Sequence, residues 1–389
     1  MGARARVFVG VIALVPLVSG VAACAADEKT ASGGDIPVGV DIELSGPASV
    51  LGGSYRKALE LVAAEANKTG VLDGRRIRLV IRDNKSDPAE AVRVAKNLWD
   101  NEKIVAMIGP GTSPTALPVV DEAERRKVPL FTFGSSGALV NPVDRHRYTF
   151  KIPPNNEDMA RIQVSEIIRR GLGTAGYLAP SDAFGDASLK AFDPAAREAG
   201  LAVTGVERFN PRDTDFTVAV TKLLAGRPQA IAVAAITPAS SLIAKAIRQA
   251  GFTGPVVYEG GAGAELFVQG AAGASEGMSM VFPRVLAANE LPDTNPQAQA
   301  QKRFFAEYTR RYGEFSGFAP FAADAFAMIV QAIKMSQSAD PEDIRDEVEA
   351  RSFGGLTGWF SFSPSYHGGV DKSSLVVLTV RNGQWTLAG

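Results

Sequence analysis

Histidine and cysteine are nearly missing from this chain: His146, His367 and Cys24 are all there is in 389 residues. Two isolated histidines with no spare cysteine give no zinc-ligand spacing. No G-x-x-x-x-G-K-[ST] stretch occurs, so the chain has no phosphate loop of its own, and no cofactor is expected. Lys+Arg number 41 against 42 Asp+Glu, mixed along the chain without a polybasic block, which argues against nucleic acid as a partner. Beyond the N-terminal region no apolar run approaches the ~20 residues of a membrane span. Low-complexity tracts and short tandem repeats are missing too.

What is present starts at the N-terminus. Arg4 and Arg6 precede an apolar run from Val7 to Val18, then the small residues Gly20, Val21, Ala22 and Ala23. This is a basic n-region, a short h-region and a cleavage site. Val21-Ala22-Ala23-Cys24 resembles the lipobox of bacterial lipoproteins. The resemblance implies that 1–23 is removed, that Cys24 becomes a lipidated N-terminus, and that 24–35 is a flexible tether. The remaining 366 residues would lie outside the cytoplasmic membrane with 39 basic and 42 acidic groups, a net charge of −3. Their length points to two lobes, because a single core stops growing near ~250–300 residues. With no cysteine left to pair, packing alone must hold them.

Strand and helix patterns alternate along the body. Ile36 to Leu44 is β-rich. From Tyr55 to Asn67 the apolar positions Tyr55, Leu59, Val62 and Ala66 lie on one helical face. Ile77, Leu79 and Ile81 alternate with Arg78, Val80 and Arg82 as a strand does. Asp87-Pro88-Ala89-Glu90 opens a helix with a cap, a proline at N1 and a glutamate placed to reach back. Ile104 to Ile108, a helix from Ser113-Pro114, and Leu130 to Phe133 complete a β-α-β-α-β-α-β series. That series means a parallel sheet covered on both faces. The pattern restarts after Pro153-Pro154, and Asn382-Gly383 closes the chain on a type I′ hairpin turn.

The chain resembles the leucine/isoleucine/valine-binding family of periplasmic binding proteins, type I. The marks are Leu44-Ser45-Gly46-Pro47 with Leu51-Gly52, Arg82-Asp83-Asn84-Lys85-Ser86-Asp87-Pro88, and Ile108-Gly109-Pro110. Asp182-Ala183-Phe184-Gly185, Asp213-Thr214-Asp215-Phe216 and Thr357-Gly358 follow in order. Such turns recur singly in many α/β proteins, and it is their order and spacing, from about residue 36 to the C-terminus, that carries the resemblance. It implies an α/β fold of two doubly wound parallel-sheet lobes joined by crossover strands, with a cleft between them. Lobe one would be 36–152 plus 283–357, and lobe two 153–282 plus 358–389.

The resemblance also implies site residues. Ser113, at a helix start, would grip a ligand carboxylate, where free N–H groups and the helix dipole favour an anion; the alternative is that it caps its own helix. Gly134, Ser135 and Ser136 would offer backbone and hydroxyl contacts. Glu259, at a strand end, would pair with an ammonium group. Leu51, Phe184 and Ile236 stand where amino-acid binders of the family often carry tyrosines, and Phe318 matches another apolar contact. This departure favours an apolar ligand body, each buried CH₂ contributing ~0.8 kcal/mol. The ligand is then leucine-like or aromatic, or an amide or carboxylate held without the full amino-acid grip.

The expected function is a lipid-anchored extracytoplasmic binding protein, a monomer, that closes on a hydrophobic amino acid or related compound and delivers it to an ABC permease. A sensor using the same fold is the alternative. Gly134-Ser135-Ser136-Gly137-Ala138 also approaches the G-x-S-x-G nucleophile elbow, with His367 downstream, but ends on alanine. A serine hydrolase using Ser136 is the third and weakest reading.

Overall fold

The computed structural model describes residues 34–292 and 294–388. Cys24, the leader at 1–23 and the tether up to residue 33 lie outside the described residues.

The first sheet uses β1 (Ile36–Ile42), β2 (Ile77–Asp83), β3 (Ala106–Ile108), β4 (Leu130–Thr132) and β5 (Thr149–Lys151). Between the first four run α1 (Ser49–Ala66), α2 (Pro88–Glu102) and α3 (Ser113–Arg126). All pairings are parallel, in the order β2-β1-β3-β4-β5. Parallel strands need a crossover on each step, which is why strand and helix patterns alternate in the sequence. Ile36, Val38, Val40 and Ile42 on β1 are fully buried, and so is Asp41 on the opposite face.

The second sheet repeats the plan. It takes β6 (Thr174–Pro180), β7 (Ala202–Phe209), β8 (Ala230–Val233), β9 (Val256–Tyr258) and β10 (Ser279–Pro283). The helices are α4 (Asn156–Arg169), α5 (Ala183–Glu198), α6 (Thr217–Ala225), α7 (Ala239–Gln249) and α8 (Glu265–Ala271). The parallel order β7-β6-β8-β9-β10 is again 2-1-3-4-5. After α9 (Pro296–Tyr312), α10 (Ala319–Ser336) and α11 (Pro341–Ala350), a small hairpin forms from β11 (Ser352–Gly354) and β12 (Trp359–Ser361). The chain then returns to add antiparallel β13 (Leu375–Arg381) and β14 (Gln384–Leu387) beside β10. Asn382 and Gly383 both have positive φ, 52° and 72°, as the type I′ turn requires.

Sheet membership divides the chain much as expected, β1–β5 within 36–152 and β13–β14 within 358–389. The strand β10 runs one residue past 282. Helix α10 packs on α1 of the first sheet. The chain passes between the sheets at 152–156, after β10, and again through 363–375.

Two local expectations differ from the structure. Helix α1 begins at Ser49, six residues before Tyr55, and Ala48 before it makes no side-chain cap. Gly52 sits in that first turn because a Cβ there would lie 2.0 Å from the Glu43 carbonyl oxygen. In α2, Asp87 accepts from the Ala89 and Glu90 N–H groups, both at 2.9 Å, but Glu90 does not reach back. It pairs with Arg93 and Lys85 instead.

Candidate ligand cleft

The C-terminal ends of both parallel sheets face one cavity of about 410 Å³. Strand ends at a domain interface are where α/β folds place ligands, and pockets of ~300–1,000 Å³ suit small molecules. From the first sheet come Leu51 and Tyr55 on α1, residues 111–114 after β3, and 133–135 after β4. From the second come Asp182 and Phe184 at the start of α5, residues 209–214 after β7, Ile236 after β8, and Glu259 after β9. Pro153, Pro154, Phe282, Pro283, Phe318 and Phe321 close the side where the chain crosses.

Ser113 is the first residue of α3, and Thr112 occupies the cap position without a side-chain bond to the helix. The Ser113 hydroxyl does not cap its helix: its Oγ accepts the Ser136 N–H at 3.1 Å. This bond joins the start of α3 to the loop after β4. Gly134 is tightly placed there, since a Cβ would lie 2.9 Å from the Ser113 Cα. No acceptor is found for the Ser113 and Ser135 N–H groups among the described residues. A helix start with free N–H groups is a place for an anion.

Leu51, Ser113, Gly134, Ser135, Phe184, Ile236, Glu259 and Phe318 all line the cavity, and Ser136 does not. The expectation for Ser136 is corrected by its local bonding. Its Oγ accepts the Ala138 N–H at 3.3 Å and opens a 3₁₀ turn over Gly137–Leu139, which holds it behind Ser113. His367 is far from any role with Ser136: its ring bonds the Thr149 carbonyl (2.9 Å) and Glu349 (3.2 Å).

Glu259 is 3% exposed. Its backbone N–H extends the β8–β9 pairing to the Val233 carbonyl at 2.8 Å. Its Oε1 accepts from Asn156 Nδ2 at 2.6 Å. Burial pushes its pKa from 4.5 up to about 7, while hydrogen bonds from Ser188 and Asn156 oppose the rise. The carboxyl is thus poised near neutrality, next to walls that are almost wholly apolar. Phe282 meets Phe318 and Phe321 edge-on at 5.8 Å, and Tyr55 packs on Phe133 at 4.3 Å.

Several residues at or under the cleft escaped the sequence reading. Tyr55 lines it one turn beyond Leu51, although it had been read only as a helix-face residue. Glu43 lies fully buried beneath the 111–113 loop. It accepts the Gly111 N–H at 3.1 Å and the Thr115 hydroxyl at 2.6 Å, and shares Asn84 Nδ2 with Asp41. Burial raises the pKa of both acids. The available signal was an i, i+2 acid pair on a strand expected to be covered on both faces.

Residues 35–384 match the family model described as periplasmic binding protein. The chain belongs to this family, whose members are solute-binding proteins rather than enzymes. It is 23% identical to a leucine-, isoleucine-, valine-, threonine- and alanine-binding protein of Pseudomonas aeruginosa, over 82% of this chain and 83% of the relative. An extracellular ligand-binding receptor from Rhodopseudomonas palustris superposes with a TM-score of 0.84 at 26% identity, covering 91% of this chain and 99% of that one. The substrate-binding protein LivJ of a Streptococcus pneumoniae branched-chain amino acid transporter, in complex with isoleucine, gives 0.79 at 26%, covering 90% and 97%.

Proposed function

We propose that this binding protein captures a hydrophobic amino acid or a related small molecule by closing its lobes, and delivers it to an ABC permease. The observation that carries the reading is the cavity itself. It has free N–H groups at one end, a buried carboxyl at the other, and apolar walls between. Ser113, Gly134 and Ser135 would hold the ligand carboxylate. Glu259 would meet its ammonium group, and Leu51, Phe184, Ile236 and Phe318 would enclose its body. The printed specificities of the Pseudomonas aeruginosa relative and the isoleucine complex support this class. Ligand contacts to both lobes would favour the closed form. Cys24 would anchor the protein by lipid outside the cytoplasmic membrane, with the lobes bounded at 152/153, 282/283 and 357/358.

A thermal-shift screen against the twenty amino acids and small aromatic acids tests the reading. A ligand at a hundredfold excess over Kd stabilises the fold by ~2.7 kcal/mol. A shift with leucine, isoleucine, valine or phenylalanine that Glu259→Ala abolishes is the expected result. Shifts only with acids lacking an amine remove the ammonium role from Glu259, and no shift with any of them sinks the ligand class.

A further inference from the structure

Lys151 ends β5, at the point where the chain leaves the first sheet, and it is fully buried. Lysine is almost never buried without partners. Its three N–H bonds meet three neutral oxygens: Asn155 Oδ1 at 2.7 Å, the Ser135 carbonyl at 3.1 Å and the Pro154 carbonyl at 3.5 Å. None is a carboxylate, so this is no ion pair, and an apolar side chain would fill the space without desolvating a charge.

The partners explain why a charge is kept there. The Ser135 carbonyl and the Ser136 N–H belong to one planar peptide group. Lys151 holds that plane by its oxygen, and Ser113 Oγ holds it by its N–H. The lysine backbone is bonded on both sides to another crossing segment: its N–H donates to the His367 carbonyl at 3.1 Å, and its carbonyl accepts the Gly369 N–H at 2.9 Å. We infer that Lys151 is a positioning residue of the cleft, its ammonium clamping the Ser135–Ser136 peptide and the Ser113 hydroxyl to the crossover residues Pro154 and Asn155. The inference rests on the cleft being the ligand site.

The clamp is sensitive to pH. Burial lowers the Lys151 pKa from 10.5 to about 8, against the pull of Glu157 and Asp158 on α4 and of Glu259 after β9. Tyr366, on the crossing segment, bonds Asn155 at 2.9 Å and completes the groups around it. A neutral amine has two N–H bonds for three oxygens, so the loop loosens as pH rises through that value. An arginine would stay charged.

Hydrogen exchange of the full chain without ligand, read in peptides spanning 131–139 and corrected for intrinsic rates, tests this. Lys151→Met is expected to speed opening at the Ser136 amide roughly tenfold or more, the usual effect of losing a bond to a charged donor. The parent should show the same change between pH 7 and pH 9, and Lys151→Arg should restore protection and abolish the pH step. Unchanged protection at Ser136 in Lys151→Met, or a loss spread evenly over the molecule, overturns the inference. Should Lys151→Met not fold, Asn155→Ala removes the nearest acceptor, and unchanged Ser136 exchange in that variant also overturns it. The readout needs no ligand, so a failed ligand screen with the expected exchange sinks only the ligand reading, while the reverse pattern sinks only the clamp.

Discussion

Replacing Glu259 by glutamine should change how stability depends on pH, by an amount the structure sets. The folded carboxyl holds its proton more tightly than the unfolded one, about 7 against 4.5. Stability from this group is therefore fully present below 4.5, declines as pH rises, and is lost above about 7. Between pH 5 and pH 8 the loss works out at about 2.5 kcal/mol, at 1.36 kcal/mol per unit. Glu259→Gln keeps the shape and still offers an oxygen to Asn156 Nδ2, but it does not titrate. The assay is urea unfolding of parent and variant at pH 5 and pH 8. The variant should gain on the parent by about 2.5 kcal/mol on going to pH 8. A gap that stays constant across this range refutes the reasoning, because Glu259 would then be ionised in the empty cleft throughout.

Isoleucine, as an amine-bearing probe, should lower the Glu259 pKa when it binds and release close to one proton per ligand near pH 6. Calorimetry in two buffers of different ionisation enthalpy reads this, and affinity should fall roughly tenfold from pH 8 to pH 6. Gly111→Ala should destabilise by about 2 kcal/mol or more in urea midpoints, because its Cβ would lie 2.1 Å from Glu43 Oε2 and break the bonds beneath the loop. Asp324→Ala should lower stability by about 3 kcal/mol and reduce the melting temperature, since it strands the Leu356 and Thr357 N–H groups and the Thr357 hydroxyl, now bonded at 2.6–2.9 Å. Asp324→Asn, which keeps an acceptor oxygen, should cost less.

The sheets were legible because each parallel step forces a strand, a helix and two turns into the sequence, and those turns carry their own chemistry. Asp87-Pro88, Ser113-Pro114 and Asn382-Gly383 each mark a boundary by a local bond or a fixed φ. Helix α1 was read short because its first turn is built from Gly52 and Gly53 without a cap, and the reason for Gly52 lies in the Glu43 carbonyl, a contact across the fold. Strand β5 was missed because three residues ending in a lysine do not look buried. The lysine is buried because Ser135, Pro154 and Asn155 supply its oxygens, and no local pattern announces that. Ser136 was misjudged for a similar reason. A hydroxyl two positions after Gly134 fits a pattern, but a 3₁₀ turn of this chain's own captures it.

The polar groups of the cleft are not independent of the crossings between the sheets. Asn156, which holds Glu259, is the first residue of α4, directly after the crossing at 152–155. Lys151, which holds the Ser135 peptide, is the last residue before it. A ligand that displaces the Asn156 bond or pulls on the Ser135 loop therefore acts on both ends of one short segment, the segment through which the lobes are joined. Closure then needs no separate relay, because the residues that set the charge state of the site also set the geometry of the hinge.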